Sequence, residues 1–157
     1  MMWRTLCLVM GWMVSVLALA DCDQLPKDEW VGNAGCLMVR GDRVLMVQQR
    51  LNGSWGLPGG TAESGERAVC TALRETLEET GLKVQVEQHL LTLRGGFHIY
   101  RCSAADGQTP DPNDWFEIQS AGWKDSRQRA ELPWRFASQR KKIEALIQQQ
   151  KVVQQEN

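Results

Sequence analysis

The stretch GGTAESGERAVCTALRETLEETGL, Gly59 to Leu82, decides the fold. Its composition predicts a helix starting at Ser64 or Gly65 and running to about Thr80, with Gly81 at the C′ position that ends it. Glu75, Glu78 and Glu79 stand at i, i+3 and i+4, so they share one face of that helix. Like charges one turn apart, as at Glu75 and Glu79, cost about a few tenths of a kcal/mol. Glu78 and Glu79 also fall in the last turn, where the helix dipole favours cations by about 0.3–1 kcal/mol. These local penalties share one sign, and a bound divalent cation reverses all of them, because carboxylate oxygens are the donors that hard cations take. Arg74, four residues before Glu78, is spaced to hold that carboxylate.

The surrounding residues extend the pattern. Gly60 is followed after five residues by Glu66, and after seven more by Arg74-Glu75. Thr76, Leu77, Glu78-Glu79, Thr80, Gly81 and Leu82 complete G-x5-E-x7-R-E-U-x-E-E-x-G-U, with Thr76 where the pattern prefers an aliphatic residue. The chain therefore resembles the Nudix hydrolases, from WGLPGG upstream of the box to about Trp123 downstream of it.

That resemblance implies an α/β/α sandwich with a mixed central sheet, and hydrolysis of a phosphoanhydride bond in a nucleoside diphosphate linked to another moiety. It implies Mg²⁺, with Mn²⁺ as a possible substitute. By position, Glu75, Glu78 and Glu79 would bind metal, a backbone carbonyl at Gly59 or Gly60 would add a ligand, Glu66 would orient or bind at the helix start, and Arg74 would be structural. Glu75 within the box and Glu117 outside it are the candidates for general base, with Glu79 also in the catalytic set. Glu117 is in addition a candidate metal ligand, and Asp111 and Asp114 are weaker alternatives. The partner is a small-molecule diphosphate; isoprenoid or lipid diphosphates, or a binding module of the same fold without turnover, are the alternatives. The SQPWPFP-like motif of NADH-type members is absent after the box, and the absence of proline between Leu82 and Gln108 argues weakly against an ADP-ribose subgroup.

The rest of the chain supports an α/β reading. Ala34–Arg50 holds two apolar runs around Gly41-Asp42, which reads as a hairpin-like pair of strands. Leu51–Gly60 reads as a Gly/Pro-punctuated loop. Leu82–Leu93, Gly96–Ala104 and Trp115–Trp123 read as strands, and Ala105–Asp114 as a loop. DSRQRAELPW from Asp125 holds one or two helical turns. Ser138–Gln150 reads as a polar helix with Ile143, Leu146 and Ile147 on one side, followed by a fraying tail. Strands and helices interleave, which predicts a sheet covered on both faces. Trp55, Phe97, Tyr100, Trp115 and Phe116 are aromatics able to stack on a base, although core or strand packing is the commoner fate of such rings. His89 and His98 read as packing or surface residues.

The chain has 157 residues, 43% of them hydrophobic, enough for one domain with a core of its own. A net charge of −1 gives no global basic field, and the basic run Arg140–Lys142 is short, so no nucleic acid is expected as partner. Residues 1–20 carry one charge, Arg4, then an apolar run ending in Ala18-Leu19-Ala20. This reads as a secretory leader cleaved after Ala20, leaving a single domain over 21–157 that is periplasmic or secreted. The alternative is a short anchor in the inner membrane. Of five cysteines, Cys22, Cys36, Cys70 and Cys102 remain after cleavage. An even number in an exported chain suits disulfides, with three pairings possible, and the spacings match no zinc motif.

Overall fold

The computed structural model describes Cys22 and residues 29–155; the expected leader over 1–20 lies outside the described residues. Strands β1 (Ala34–Leu37), β2 (Val39–Arg40) and β3 (Arg43–Gln49) form from the two apolar runs. The expected hairpin is confined to β2 and β3, which pair Val39 with Val44 and Arg40 with Arg43 around the two-residue turn Gly41-Asp42. Gly41 adopts φ 57, which that tight connection requires. β1 instead joins a different sheet.

That sheet has the order β5-β1-β7-β6, where β5 is Gly59–Gly60, β6 Val84–Thr92 and β7 His98–Ala104. β1 runs parallel to β7, while the β1–β5 and β6–β7 pairs are antiparallel, so the sheet is mixed. The second sheet is antiparallel: β3 pairs β2 and β4 (Trp55–Gly56), and also β8 (Ile118–Lys124). Helices α1 (Ala68–Thr80), α2 (Ser126–Glu131) and α3 (Ala137–Gln155) complete the chain.

Two apolar layers lie on opposite faces of the strands, and the side-chain alternation of β structure sorts residues between them. Cys36, Met38, Leu45 and Tyr100 pack with Ala68, Val69 and Ala72 of α1. Their chain neighbours Leu37, Val39, Val44, Met46 and Ile99 pack with Ile143, Leu146 and Ile147 of α3. Strands buried on both faces read as continuous apolar runs rather than alternating ones, as Val44-Leu45-Met46-Val47 does. The architecture is the α/β/α sandwich with a mixed sheet that the sequence resemblance implied.

The four cysteines pair as Cys22–Cys70 and Cys36–Cys102. The first ties residue 22 to α1. The second links neighbouring strands β1 and β7 within the core layer under α1.

Several boundaries differ from expectation. Helix α1 begins at Ala68, not Ser64 or Gly65, because Arg67 is held in a β-bridge with Val31 while the Gly32 N–H donates to Glu66 O and the Ala68 N–H to Trp30 O. The loop Leu51–Gly60 contains β4 and β5. Trp115–Glu117 is a turn rather than the start of a strand, since Asp114 Oδ1 accepts the N–H groups of Phe116 and Glu117 and curls the chain. The tail does not fray at Gln150: α3 continues to Gln155, with Ile147 and Gln150 buried and Lys151 paired with Asp42. Asp125 and Gln128 form a capping box at the start of α2. Arg129 on α2 is fully buried; it donates to the Asp42 and Lys124 carbonyls and to both carboxylate oxygens of Glu144, fastening α2 to α3 and to the β2–β3 turn. Among the described residues, no helix is long and apolar enough to cross a membrane.

Candidate active site

Helix α1 carries the carboxylates and is anchored at both ends. At its C-terminus Gly81 takes φ 68, a left-handed conformation that glycine adopts without strain, and donates its N–H to Leu77 O. Its last carbonyls are satisfied from the loop after β7: Asp111 N–H donates to Thr80 O, and the Asn113 and Asp114 N–H groups donate to Glu78 O. A side chain at Gly81 would run into Asp111 O, so the helix end and this loop fit only as they stand.

β5 is the floor against which these carboxylates lie. The Gly59 N–H donates to Glu79 Oε2 at 2.6 Å, and Glu79 is only 3% exposed. Gly60 faces Glu75 so closely that a Cβ at Gly60 would overlap its carboxylate. Gly59 itself has φ 148 and lies against Gly35 and the Ala34 carbonyl, with the Phe97 ring beside it. The glycine pair thus brings the strand backbone within reach of two box carboxylates, which a larger residue would push away.

Arg74 organises the acidic face. Its Nη1 donates to Glu75 Oε1 at 2.9 Å and to Glu78 Oε2 at 3.1 Å. Its Nε and Nη2 form a two-pronged pair with Glu66, at 3.0 and 2.9 Å, and Nη2 also reaches Thr61 O. Glu66 Oε2 in turn accepts from the Glu63 N–H and the Thr71 hydroxyl. Glu66 thus braces the turn before α1, and Arg74 ties Glu66, Glu75 and Glu78 together through one guanidinium.

The electrostatics follow. Burial pushes the Glu79 carboxyl up to about 8, against the opposing Gly59 N–H, with the charges of Glu75 and Glu117 adding to the rise. Burial also raises Glu75, against Arg74, with Glu78 and Glu117 reinforcing the rise. Burial raises Glu78 in the same way, helped by Asp114. At Glu66 burial again pushes upward, but Arg74, the Glu63 N–H and Thr71 outweigh it and the carboxyl ends lowered.

Glu117 lies exposed in the turn before β8, and its charge is felt at both Glu75 and Glu79. The fold therefore brings this residue, 35 positions beyond the end of the box, near enough for its charge to act on those two carboxylates. Asp114 is near Glu78, but one of its oxygens is occupied by two backbone N–H groups. Asp111 contributes through its backbone. Among the described residues, no three His, Cys, Asp or Glu side chains converge into a ready-made metal cage; Arg74 holds Glu75 and Glu78. The donor set nonetheless suits a hard divalent cation. Every donor is oxygen, Glu75, Glu78 and Glu79 outnumber the Arg74 guanidinium that holds two of them, and burial raises the proton affinity of all three.

Sequence reading singled out five aromatics. Trp55 and Phe97 line a cavity of about 270 Å³ that opens beside Gly59 and Gly60. Tyr100 is buried in the core, and Trp115 and Phe116 are 70% and 94% exposed. Another part of its wall, Trp134, Arg135 and Phe136, was not foreseen, because the link between α2 and α3 carries no motif. His98 is buried in a separate cluster with Thr92 and His89, under Trp30.

Comparison with known proteins agrees with this geometry. The family model described as the NUDIX domain matches residues 30–146. A MutT-like protein of Streptomyces ambofaciens is 34% identical over 82 residues, 49% of this chain and 53% of that protein. Nucleoside diphosphate-linked moiety X motif 6 of Mus musculus is 45% identical over 67 residues, 41% of this chain and 21% of that protein. The chain thus spans about half the length of the first relative and about a fifth of the second. A Nudix hydrolase structure from M. smegmatis superposes with a TM-score of 0.60 at 25% identity, covering 73% of this chain and 84% of that one.

Proposed function

We propose, for a chain that belongs to the Nudix hydrolase family, that it hydrolyses a phosphoanhydride bond in a nucleoside diphosphate linked to another moiety, with Mg²⁺ as the metal and Mn²⁺ as a substitute. One observation carries the reading: the box carboxylates Glu75 and Glu79 are brought onto the Gly59–Gly60 backbone, where nothing larger than glycine fits.

Glu75, Glu78, Glu79 and Glu117, with a carbonyl from Gly59 or Gly60, would hold the cation. When bound, the cation neutralises phosphate charge and acidifies a water. The chain's own residues do the rest. The Gly59 N–H fixes Glu79 in one orientation. Arg74 holds Glu75 and Glu78 on the same face and keeps Glu66 ionised at the helix start. Glu75 and Glu117 approach from different elements, and each as a carboxylate can take the proton of an attacking water. Water adds across one P–O–P link: hydroxyl goes to one phosphorus, and the proton goes to the oxygen that leaves with the other.

The two disulfides support an exported enzyme, in keeping with the leader expected from the sequence of residues 1–20, because disulfides persist in oxidising compartments. The name of the mouse relative supports a nucleoside diphosphate as the substrate core.

The test is product release by residues 21–157 acting on nucleoside triphosphates, dinucleotide cofactors, nucleotide sugars and isoprenoid diphosphates, each with Mg²⁺, with Mn²⁺ and with chelator. Metal-dependent cleavage of a nucleotide class is the expected result. Cleavage of isoprenoid diphosphates alone overturns the substrate assignment. Binding without turnover by folded protein overturns the enzyme reading in favour of a binding module.

A further inference from the structure

Apart from the box carboxylates, the β6–β7 hairpin gathers both histidines of the chain under one tryptophan. In a regular strand His89 and Thr92, three residues apart, would point to opposite faces. The register breaks between His89 and Leu91, where β6 holds one residue more than β7. That bulge reverses the alternation and brings His89 and Thr92 to one face, together with His98, the cross-strand partner of Thr92.

Three polar atoms meet there. His98 Nδ1 lies 3.0 Å from Thr92 Oγ1 and 3.3 Å from His89 Nε2, and His89 Nε2 lies 3.2 Å from Thr92 Oγ1. Hydrogen atoms cannot serve all three edges of this triangle. In a neutral ring each of these nitrogens either donates one proton or accepts, never both, and the hydroxyl has a single proton. At most two hydrogens therefore fall on three edges. A cation that takes lone pairs from both rings and from the hydroxyl satisfies all three atoms at once.

The dimensions suit a small transition-metal ion. Nitrogen donors held at about 2.0–2.1 Å by tetrahedral Zn²⁺ lie about 3.3–3.4 Å apart, and the two imidazole nitrogens stand at 3.3 Å. Imidazole favours Zn²⁺ and its late first-row neighbours, whereas Mg²⁺ takes oxygen. This centre therefore differs in kind from the all-oxygen box. The four cysteines of the described residues are paired in disulfides, so their sulfurs do not compete for the ion. His98 is 5% exposed, whereas His89 is half-buried and Thr92 exposed, which leaves an approach from the Thr92 side. Trp30 covers the rings, its centroid 5.4 Å from that of His89 and 5.2 Å from that of His98. The Trp30 carbonyl accepts the Ala68 N–H at the start of α1, so the centre lies where the hairpin meets the helix.

We propose that His89 Nε2 and His98 Nδ1 bind one Zn²⁺ ion, with the Thr92 hydroxyl as a weaker third ligand and water completing the shell. Each ring then carries its proton on the other nitrogen, His89 on Nδ1 and His98 on Nε2. The site stands apart from the hydrolase reading and does not depend on it.

Zn²⁺ binding is measured by calorimetry on the full chain, expressed without a histidine tag. Excess Mg²⁺ is present, which competes for carboxylate oxygens but not for imidazole. The parent takes up Zn²⁺ at a site that Mg²⁺ does not displace. His89→Ala, His89→Gln and His98→Ala each weaken it tenfold or more, and Thr92→Val weakens it less than any of these. His98 is buried, so the two His89 variants are decisive, with parent-like melting in chelator as their check of folding. Zn²⁺ raises the melting temperature of the parent and leaves that of both His89 variants unmoved. Cu²⁺, the tighter binder of the same ligands, quenches Trp30 emission at one equivalent, and this quenching is lost in Trp30→Phe and in His89→Ala. Glu79→Gln, which alters the box alone, binds Zn²⁺ like the parent. Unchanged Zn²⁺ affinity in folded His89→Ala or His89→Gln overturns the proposal, as does Zn²⁺ binding that disappears in Glu79→Gln or in excess Mg²⁺.

Discussion

Gly59 donates its backbone N–H to Glu79 across twenty residues of sequence, and the hydrogen bond is short, at 2.6 Å. It joins the strand floor to the most buried carboxylate of the acidic helix. Glu79→Gln keeps the size and the acceptor oxygen, so the fold is expected to survive with its melting temperature close to the parent's. Hydrolysis should fall by on the order of 10²-fold or more, as loss of a metal ligand or base does. A folded variant with near-normal kcat would remove Glu79 from the catalytic set.

The next residue of the same floor gives a second expectation. Because a Cβ at Gly60 would overlap the Glu75 carboxylate, Gly60→Ala should displace Glu75 without removing any charged group. A misplacement of about 1 Å at a reacting centre costs roughly 10²-fold. The variant should therefore lose activity on that scale while circular dichroism and melting remain near those of the parent. Full activity in Gly60→Ala would show that Glu75 is not held against this backbone during turnover.

The burial of Glu79 makes the metal-free protein sensitive to pH in a defined window. Its carboxyl is raised from 4.5 to about 8, so the metal-free folded state holds a proton that the unfolded chain has already released. The resulting stabilisation is complete below about pH 4.5 and is lost as pH rises through about 8. Glu66 acts in a separate and lower window: its carboxyl is lowered, so its contribution is present above 4.5 and is lost as pH falls through its folded value. Chemical denaturation of chelated protein between pH 5 and 8 is expected to show stability declining with pH. Mg²⁺ should remove the decline and should bind with proton release, read by calorimetry in buffers of different ionisation enthalpy. Stability of the chelated protein that rises from pH 5 to 8 would contradict the buried protonated carboxyl.

How far the sequence carries these arguments depends on the range of the signal. The box is local and dense, so Gly60, Glu66, Arg74, Glu75, Glu78 and Glu79 could be read directly, as could the Gly81 stop. The α1 start was misjudged because it is fixed by pairing with residues 30–32, thirty-odd positions upstream. The two-residue strands β4 and β5 have no periodicity to detect. Arg129 looks like any polar helix residue until α3 returns over it and supplies Glu144. The Trp134–Phe136 wall likewise acquires its role only when β4 and β5 are folded beneath it. The leader reading remains a sequence expectation, checked by N-terminal sequencing of exported protein, which should begin at Asp21.

The disulfides set the last expectation. Cys22–Cys70 and Cys36–Cys102 close loops spanning 48 and 66 residues. Cross-links of that reach constrain the unfolded chain by about 4 kcal/mol each in the chain-entropy account, with measured losses of about 2–5 kcal/mol on removal. The two should differ in consequence. Cys36–Cys102 joins adjacent core strands, and substituting both residues by alanine also removes buried sulfur from the layer under α1. Cys22–Cys70 tethers the N-terminal segment to α1, where Arg67 donates to Cys22 O at 2.8 Å, and its loss should release that segment while the sheet persists. The check is the urea midpoint of Cys36→Ala/Cys102→Ala and Cys22→Ala/Cys70→Ala beside the parent, with mass spectrometry confirming the remaining bridge in each. A larger shift is expected for the core pair, and accelerated proteolysis near residues 29–32 for the other. Equal midpoints for parent and both double variants would mean that neither bridge supports the folded state.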